Sequence, residues 1–180
     1  MTLGLHKDKV ELMPYTTEWA DEFKKEKAIL EKLLHGYALA IEHVGSTSIP
    51  GLSAKPILDI AVAVKDVNTL KNLIPLLSEN GYDPLNSIEA KEELLARKGT
   101  PENRTHYIHI EIIGNTYWTN HILFRDYLLK HPEVIKEYEY LKQKLSTEHK
   151  DEREKYTAAK NEFIQHVLKL AELEKTETER

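Results

Sequence analysis

One acidic residue stands in the middle of an apolar run, and it constrains both the fold and the chemistry of this chain. Asp59 lies within residues 57–64, whose other members are Ile, Leu, Val and Ala. An ionised carboxylate in a buried strand is costly unless a cation or hydrogen-bond donors meet it. A shorter apolar run ends just upstream at Gly45-Ser46, and a tight loop joins the two runs. We therefore expect Asp59 to meet a partner beside this turn.

Alternation along residues 57–64 separates two faces of the predicted strand. One face is bulky and apolar and carries Leu58, Ile60, Val62 and Val64. The other face places Asp59 among smaller neighbours, including Ala61 and Ala63. Small residues around a carboxylate leave room for a ligand on that face.

Hydrophobic periodicity predicts the remaining elements. Helical spacing extends over residues 18–34, 66–79, 118–129, 132–145 and 151–173, and strand patterns over 37–44, 57–64 and 104–113. Pro75 is expected to kink or split its helix, and residues 82–98 fit neither pattern. This order predicts an α+β fold, with helices on a small mixed sheet and a helical C-terminal third packed on the core.

Length and composition bound the organisation of the chain. At 180 residues we expect one domain over 1–173, followed by a charged, disordered tail over 174–180. The net charge of -5, with Lys and Arg scattered among acids, argues against a nucleic-acid partner. Cysteine is absent, so thiolate chemistry is excluded. No leader or membrane-spanning run is visible, which favours a cytoplasmic protein, and nothing indicates an oligomeric state.

The turn and Asp59 together are typical of a nucleotidyltransferase site, with 12 residues between Ser46 and Asp59. Glycine lets the backbone approach a triphosphate, and the Ser46 and Thr47 hydroxyls can bond its oxygens. Carboxylates hold the divalent cation, Mg²⁺ or Mn²⁺, that bridges the phosphates. On the residues alone, an ordinary strand-ending turn is the simpler interpretation of Gly45, Ser46 and Thr47.

The acids of that general pattern are incomplete here. A second acid is expected two residues after the first, and that position is Ala61. On the strand 104–113, His109 and Glu111 share a face. Glu111 can supply a further carboxylate and His109 an imidazole, as ligand or general base. A metal set of Asp59, His109 and Glu111 suits Mn²⁺ or Zn²⁺ more than Mg²⁺, although a solvated strand face explains Glu111 equally well.

Two cationic residues are candidates for neutralising a triphosphate. Lys55 and Arg104 can meet phosphate oxygens, and the planar fork of Arg binds oxyanions bidentately. The alternative is structural: either residue can instead form an ion pair with Asp59 or Glu42. His106, on the opposite strand face from His109, is interpreted as structural.

The chain resembles the GrpB family in the stretches Glu-His-Val-Gly-Ser-Thr-Ser-Ile-Pro-Gly-Leu at 42–52 and Ala-Lys-Pro-Ile-Leu-Asp-Ile at 54–60. The likeness continues at residues 104–109, 123–128 and 131–132, and at Tyr138, Leu141, Lys142, Tyr156 and Lys160. It covers residues 10–168 and implies a nucleotidyltransferase-like fold. In some bacteria a relative of this domain is joined to dephospho-CoA kinase. The family has no settled substrate, so the resemblance implies none.

Three functions are compatible with these residues. The first is metal-dependent nucleotidyl transfer from a nucleoside triphosphate to a small-molecule acceptor. Its roles are metal and catalysis for Asp59, Glu111 and His109, and triphosphate binding for Gly45, Ser46, Thr47, Lys55 and Arg104. The second is a non-catalytic module that binds a nucleotide or a CoA-like ligand, which Ala61 favours. The third is a metal-dependent hydrolase or lyase of a phosphorylated metabolite.

Overall fold

A mixed β-sheet with helices on both faces organises the chain, whose computed structural model describes residues 3–85 and 92–178. Within these ranges the strands are β1 (Ala40–Val44), β2 (Leu58–Val64), β3 (Asp83–Pro84), β4 (Glu93–Gly99) and β5 (Arg104–Ile112). The α-helices in the same ranges are α1 (Glu18–Leu33), α2 (Val67–Glu79), α3 (Thr116–Lys130), α4 (Pro132–Glu148), α5 (Arg153–Ala159) and α6 (Asn161–Thr178). The predicted α+β fold is confirmed.

The order of the sheet is β1-β2-β5-β4-β3, with β2 and β5 parallel and the other pairs antiparallel. Asp59 on β2 lies between Val44 of β1 and Tyr107 of β5. Two residues further along, Ala61 lies between Glu42 and His109. Residues 82–98, which matched no single pattern, include β3 and β4, while 86–91 lie outside the described residues.

The bulky face of β2 forms the main core against α1 and α2. The four residues predicted for that face are all fully buried, and they pack with apolar side chains of both helices, including Trp19, Leu30, Leu70, Leu73 and Leu77. Fully burying each such side chain contributes about 1.5–3 kcal/mol. The predicted division of β2 into two faces is therefore confirmed.

The helix α2 begins where the sequence predicted, because the Asp66 carboxylate accepts hydrogen bonds from the backbone N–H and hydroxyl of Thr69 (2.8 and 2.9 Å). Of the two effects predicted for Pro75, a kink or a split, the split is not found, since one helix continues through it. Leu73 and Leu77 are fully buried on either side of the proline. Their burial outweighs the one hydrogen bond that proline removes.

The C-terminal third is helical, but it divides differently from the prediction. The predicted helix over 151–173 is two helices, α5 and α6, which meet at Lys160. The predicted disordered tail is also not found over 174–178, which are helical, while 179–180 lie outside the described residues. His131 at the end of α3 donates to Glu174 (3.0 Å), and this contact holds the last turns of α6.

The opposite face of the sheet lies under α3, which contacts β1, β2 and β5. Ala61 and Ala63 on this face are fully buried. Their small size, which the sequence suggested as room for a ligand, instead lets the helix approach the sheet. The end of the face that carries Asp59 opens to a cavity. No helix in the two described ranges has both the length and the apolar character needed to cross a membrane.

Candidate functional site

The turn after β1 lies directly against Asp59. Gly45 has φ +69° and ψ −174°, and the next three residues, Ser46–Ser48, form one 3₁₀ turn. The Ser48 hydroxyl donates to the carbonyl oxygen of Gly45 (2.6 Å), which fixes the turn. A Cβ placed on Gly45 would lie 2.6 Å from Oδ2 of Asp59, so only glycine allows this close approach.

A histidine that sequence reasoning overlooked anchors the same turn. His43 Nε2 and Thr47 Oγ1 are 2.9 Å apart, and the His43 ring stacks on Phe23 of α1 at 4.8 Å. Burial lowers the pKa of His43 to about 4, so its ring is neutral at physiological pH. Thr47 is itself buried, and its hydroxyl is engaged with His43. The hydroxyl therefore stabilises the turn and is not directed to a ligand.

A cavity of about 340 Å³ opens beside this turn. It lies between the 3₁₀ turn, the start of β2, the middle of β5, and the helices α4 and α5. Its polar lining residues are Ser46, Thr47, Lys55, Asp59, Tyr107, His109, Lys142, Arg153, Tyr156, Thr157 and Lys160. The turn and Asp59 therefore share a concave site with residues from the C-terminal third of the chain.

Four cationic side chains converge on this cavity, and each lies over an aromatic ring. Lys55 and Lys160 Nζ are 5.3 and 4.5 Å from the centroid of the Tyr156 ring. The other two ring contacts are Lys142 Nζ with Tyr138 at 5.0 Å and Arg153 Cζ with Tyr107 at 5.3 Å. Cation–π contacts of this kind hold a cation without neutralising it. None of the four forms a salt bridge with an acid of the described residues, although Lys142 Nζ donates to the carbonyl oxygen of Ser53 and Arg153 Nη1 to that of Lys7.

The environment of the cavity disfavours the protonated form of its three lysines. Burial, together with the charges of Lys160 and Arg153, holds the pKa of Lys55 well below its usual range. Burial lowers the pKa of Lys142 to about 7 and that of Lys160 to about 8. An anion in the cavity would offset both causes, because it solvates and neutralises the ammonium groups.

Asp59, His109 and Glu93 form a chain of charged groups at the edge of the cavity. His109 Nε2 is 3.3 Å from Asp59 Oδ1, and its Nδ1 is 3.0 Å from Glu93 Oε1. Burial alone would lower the pKa of His109, but the two carboxylates raise it to about 10. Burial likewise opposes the charge on Asp59, yet His109 and Lys55 hold the pKa of Asp59 below its usual value. The raised pKa favours the doubly protonated ring of His109 over the neutral ring that a general base needs.

A family model described as GrpB protein matches residues 9–170. The chain belongs to the GrpB family. The glutamate-rich protein GrpB of Alkalihalophilus pseudofirmus is 37% identical over 172 residues, which cover 92% of this chain and 98% of that protein. The UPF0157 protein YqkA of Bacillus subtilis is 37% identical over 158 residues. The match covers 88% of this chain but only 46% of YqkA, so the chain spans about half the length of that relative.

A solved GrpB structure shares the fold. The crystal structure of GrpB from Enterococcus faecalis is 34% identical and superposes with a TM-score of 0.81, over 89% of this chain and 96% of that one. The resemblance found over residues 10–168 is therefore confirmed. Neither of these GrpB names states a substrate.

Not all residues predicted for the site of this GrpB protein come together. Ser46, Thr47, Lys55, Asp59 and His109 line the cavity, and Gly45 supports the turn beside it. Sequence reasoning overlooked Arg153, to which no strand or turn pattern points, and included Lys142 only as part of the family likeness. The spacing of Tyr156 and Lys160, one helical turn apart, is compatible with a common cleft and equally with a lysine in water.

Arg104 is not brought to the cavity of this GrpB protein. It begins β5, is buried, and donates from Nη1 to the carbonyl oxygen of Gly99 (3.0 Å). Its guanidinium therefore closes the turn between β4 and β5. The predicted phosphate contact does not fit this position, and cations from the C-terminal helices lie at the cavity instead.

Glu111 is also absent from the lining of the cavity formed by the described residues. It lies one strand step beyond His109, is fully buried, and faces His121 of α3, whose Nδ1 is 3.4 Å from Glu111 Oε1. Donor atoms of His109, Glu111 and His121 lie within 4.8 Å of one another. The predicted set of Asp59, His109 and Glu111 is thus divided, with Asp59 on the cavity side and Glu111 behind His109.

Proposed function

We propose that this GrpB protein binds a nucleotide or a CoA-like ligand through its phosphate groups, in the cavity beside Asp59. The observation that carries the proposal is the convergence of Lys55, Lys142, Arg153 and Lys160 on one cavity. Among the described residues that line it, Asp59 is the one carboxylate. Such an excess of cations fits a ligand that carries several negative charges.

The pKa values of the lysines support a phosphate ligand over a neutral one. Burial is the main cause that lowers the pKa values of Lys142 and Lys160, and an anion bound beside them would favour their protonated forms. Phosphate oxygens accept charge-assisted hydrogen bonds from ammonium and guanidinium groups. The Ser46 hydroxyl and the tyrosines of the cavity add neutral donors at its edge. The cavity is also of the size that small-molecule ligands use.

The residues present do not fit a resident pair of magnesium ions. Two-metal sites need several carboxylates around the ions. At the position of the second acid stands Ala61, which is fully buried on the face of the sheet where α3 contacts it. The adjacent acid, Glu42, accepts from Arg125 Nη1 of α3 at 2.7 Å. A divalent cation therefore enters this proposal only as the counter-ion that accompanies the phosphates.

Nucleotidyl transfer to a small-molecule acceptor is the second candidate function. The observation that favours it is the fit between Gly45 and Asp59, which holds the carboxylate beside the turn and leaves its side chain 35% exposed. An exposed carboxylate at this place can meet the cation of a bound nucleoside triphosphate. The two candidates differ in whether binding needs the metal and whether a product forms.

Thermal-shift measurements on a panel of phosphorylated compounds test the proposal. The panel is ATP, GTP, CTP, UTP and dephospho-CoA, each with Mg²⁺, with Mn²⁺ and with EDTA. A ligand at about 100 times its Kd stabilises the folded chain by about 2.7 kcal/mol. We expect at least one compound to raise the Tm in EDTA. A shift that requires metal, together with a transferred nucleotidyl group detected by mass spectrometry, would favour the second candidate.

Matched lysine variants locate the binding. Lys142→Met and Lys160→Met are each expected to weaken binding about tenfold or more, because each removes a charge-assisted hydrogen bond. Lys144→Met is the control, since Lys144 lies on the same helix but is exposed and paired with Glu148. Equal affinities in all three variants, or no shift with any compound, would contradict the proposal.

A further inference from the structure

We propose that Glu111, His121 and His109 form a binding site for a first-row transition-metal cation such as Zn²⁺, behind the phosphate cavity. This site goes beyond the proposed function, because neither Glu111 nor His121 is among the described residues that line the cavity. It also differs from the metal set predicted from the sequence, in which Asp59 held the place that His121 takes here.

The Glu111 carboxylate is buried and makes no hydrogen bond within the described residues. Its residue is 0% exposed, and neither carboxylate oxygen has a hydrogen-bond partner among residues 3–85 and 92–178. Leaving a buried acid in this condition is costly, and native proteins nearly always satisfy such groups. A cation bound to both or either of the oxygens removes that cost. Glu111 is therefore the centre of the candidate site.

His121 adds a second donor with the same deficiency. Its Nδ1 is buried and makes no hydrogen bond within the described residues, although it lies 3.4 Å from Glu111 Oε1. Ligand atoms bound to one Zn²⁺ at about 2.0–2.2 Å lie roughly 3–3.5 Å apart, so this pair already has the spacing of two ligands. The His121 side chain is 32% exposed, which gives an ion a route from solvent.

His109 completes a set of two imidazoles and one carboxylate. Its ring centroid is 4.7 Å from that of His121, and one donor atom from each of the three residues lies within 4.8 Å of the others. This donor set suits Zn²⁺, Co²⁺ and Fe²⁺, and it suits Mg²⁺ poorly. The second ring nitrogen of His109 meets a carboxylate, Asp59 or Glu93, as is typical of metal-bound histidines.

Binding of the ion replaces one ring proton of His109 by the metal cation. Both ring nitrogens of His109 face carboxylates, so metal binding displaces the proton from one of them. The cation then supplies the positive charge that this proton supplied. When Nδ1 binds the ion, the N–H at Nε2 links it to Asp59 and so to the cavity. The site is thus placed to orient Asp59 without touching the phosphate ligand.

A cobalt titration of the untagged, EDTA-treated chain tests the site. Co²⁺ bound by two imidazoles and a carboxylate gives a visible absorption band, and Zn²⁺ should displace it. We expect one equivalent of Co²⁺ per chain, and Glu111→Gln and His121→Gln should each weaken binding at least about tenfold. Elemental analysis of the Zn²⁺-loaded chain checks the stoichiometry. A cooperative thermal transition checks that each variant is folded. If one variant does not fold, the other is sufficient for the test.

Two controls separate this site from other places where a metal can bind. His131→Gln removes a histidine that lies beside Glu133 and Glu174 at the surface, and it should leave Co²⁺ binding unchanged. Asp59→Asn tests the set predicted from the sequence, and it should weaken Co²⁺ binding less than Glu111→Gln or His121→Gln, since an amide oxygen still accepts from His109. The proposal is overturned if the parent chain binds no Co²⁺ or Zn²⁺. It is equally overturned if Asp59→Asn loses the ion while Glu111→Gln and His121→Gln keep it.

Discussion

Gly45 and Asp59 are in direct contact, because a Cβ on Gly45 would lie 2.6 Å from Oδ2 and 2.9 Å from Cβ of Asp59. The contact joins the end of β1 to the start of β2, where Val44 and Asp59 are paired. The turn and the carboxylate therefore form one unit, and the position of one depends on the other. This unit forms one wall of the cavity, and the lysines line the same cavity.

We expect Gly45→Ala to lower the free energy of unfolding and to weaken phosphate binding. Gly45 has φ +69° and ψ −174°, a region that other residues enter at a cost of about 1–3 kcal/mol. The new methyl group would also displace Asp59. Gly51→Ala is the control, because Gly51 has φ +82° but open space around it. Urea unfolding and ligand titration of both variants measure the difference. Equal effects would show that the Asp59 contact contributes nothing.

Asp59→Asn distinguishes the two candidate functions by the sign of its effect. If the cavity binds phosphates without a resident metal, the loss of one negative charge should strengthen binding in EDTA. If Asp59 holds the cation of a nucleotide, the variant should abolish metal-dependent binding and transfer. We expect the first outcome, measured by calorimetric titration with and without Mg²⁺. Glu93 keeps a hydrogen bond to His109 in either case, so the variant should fold.

The sequence predicted the framework of the site well, because that part depends on local pattern. Alternation placed Asp59 opposite the core face of β2, and the Gly-Ser turn marked the end of β1. These features are set by residues close together in the chain. The family likeness added the fold, which the sheet order and the solved GrpB structure confirm.

The sequence could not predict which distant residues complete the site. The sequence predicts a phosphate contact for both Arg104 and Lys55. In the structure, Arg104 begins β5 and its guanidinium donates to the carbonyl oxygen of Gly99. Lys142 and Lys160 lie on amphipathic helices, where a lysine is normally in water. Their position at the cavity follows from how α4 packs on Ile49 and Leu52 after β1 and how Tyr156 of α5 packs on Val10. His121 was overlooked for the same reason, since only packing of α3 brings it to Glu111.

Ala61→Asp tests whether the missing second acid can be restored. Ala61 is fully buried on the face of the sheet where α3 contacts it, between Glu42 and His109. A carboxylate here would be buried without room for its own hydration, so we expect a loss of about 3–5 kcal/mol in the free energy of unfolding. Ala61→Ser, which adds less volume and no charge, is the control. A stable Ala61→Asp chain with new Mg²⁺-dependent nucleotide binding would show that the position is open to the cavity.

The pH dependence of phosphate binding follows from two lysines of the cavity. Burial lowers the pKa of Lys142 to about 7 and that of Lys160 to about 8, so both lose their charge at a lower pH than usual. A triphosphate is almost fully ionised above pH 7. We therefore expect its affinity to be highest near pH 7 and to fall as the pH rises toward 9. Calorimetric titrations in EDTA between pH 7 and pH 9 measure this.

Ligand affinity falls as the pH rises, but the contribution of the same two lysines to the stability of the ligand-free chain rises with pH. Between about pH 7 and the ordinary lysine pKa of about 10.4, the unfolded chain binds more protons than the folded one. The contribution of these lysines to the free energy of unfolding therefore rises with pH across that window.

His109, whose pKa is raised, has the opposite effect on the pH dependence, so the informative quantity is the difference in the free energy of unfolding between the parent and Lys142→Met. We expect the parent to gain more than this variant, while Lys144→Met follows the parent. If all three chains show the same slope, Lys142 is not held in its uncharged form by the fold.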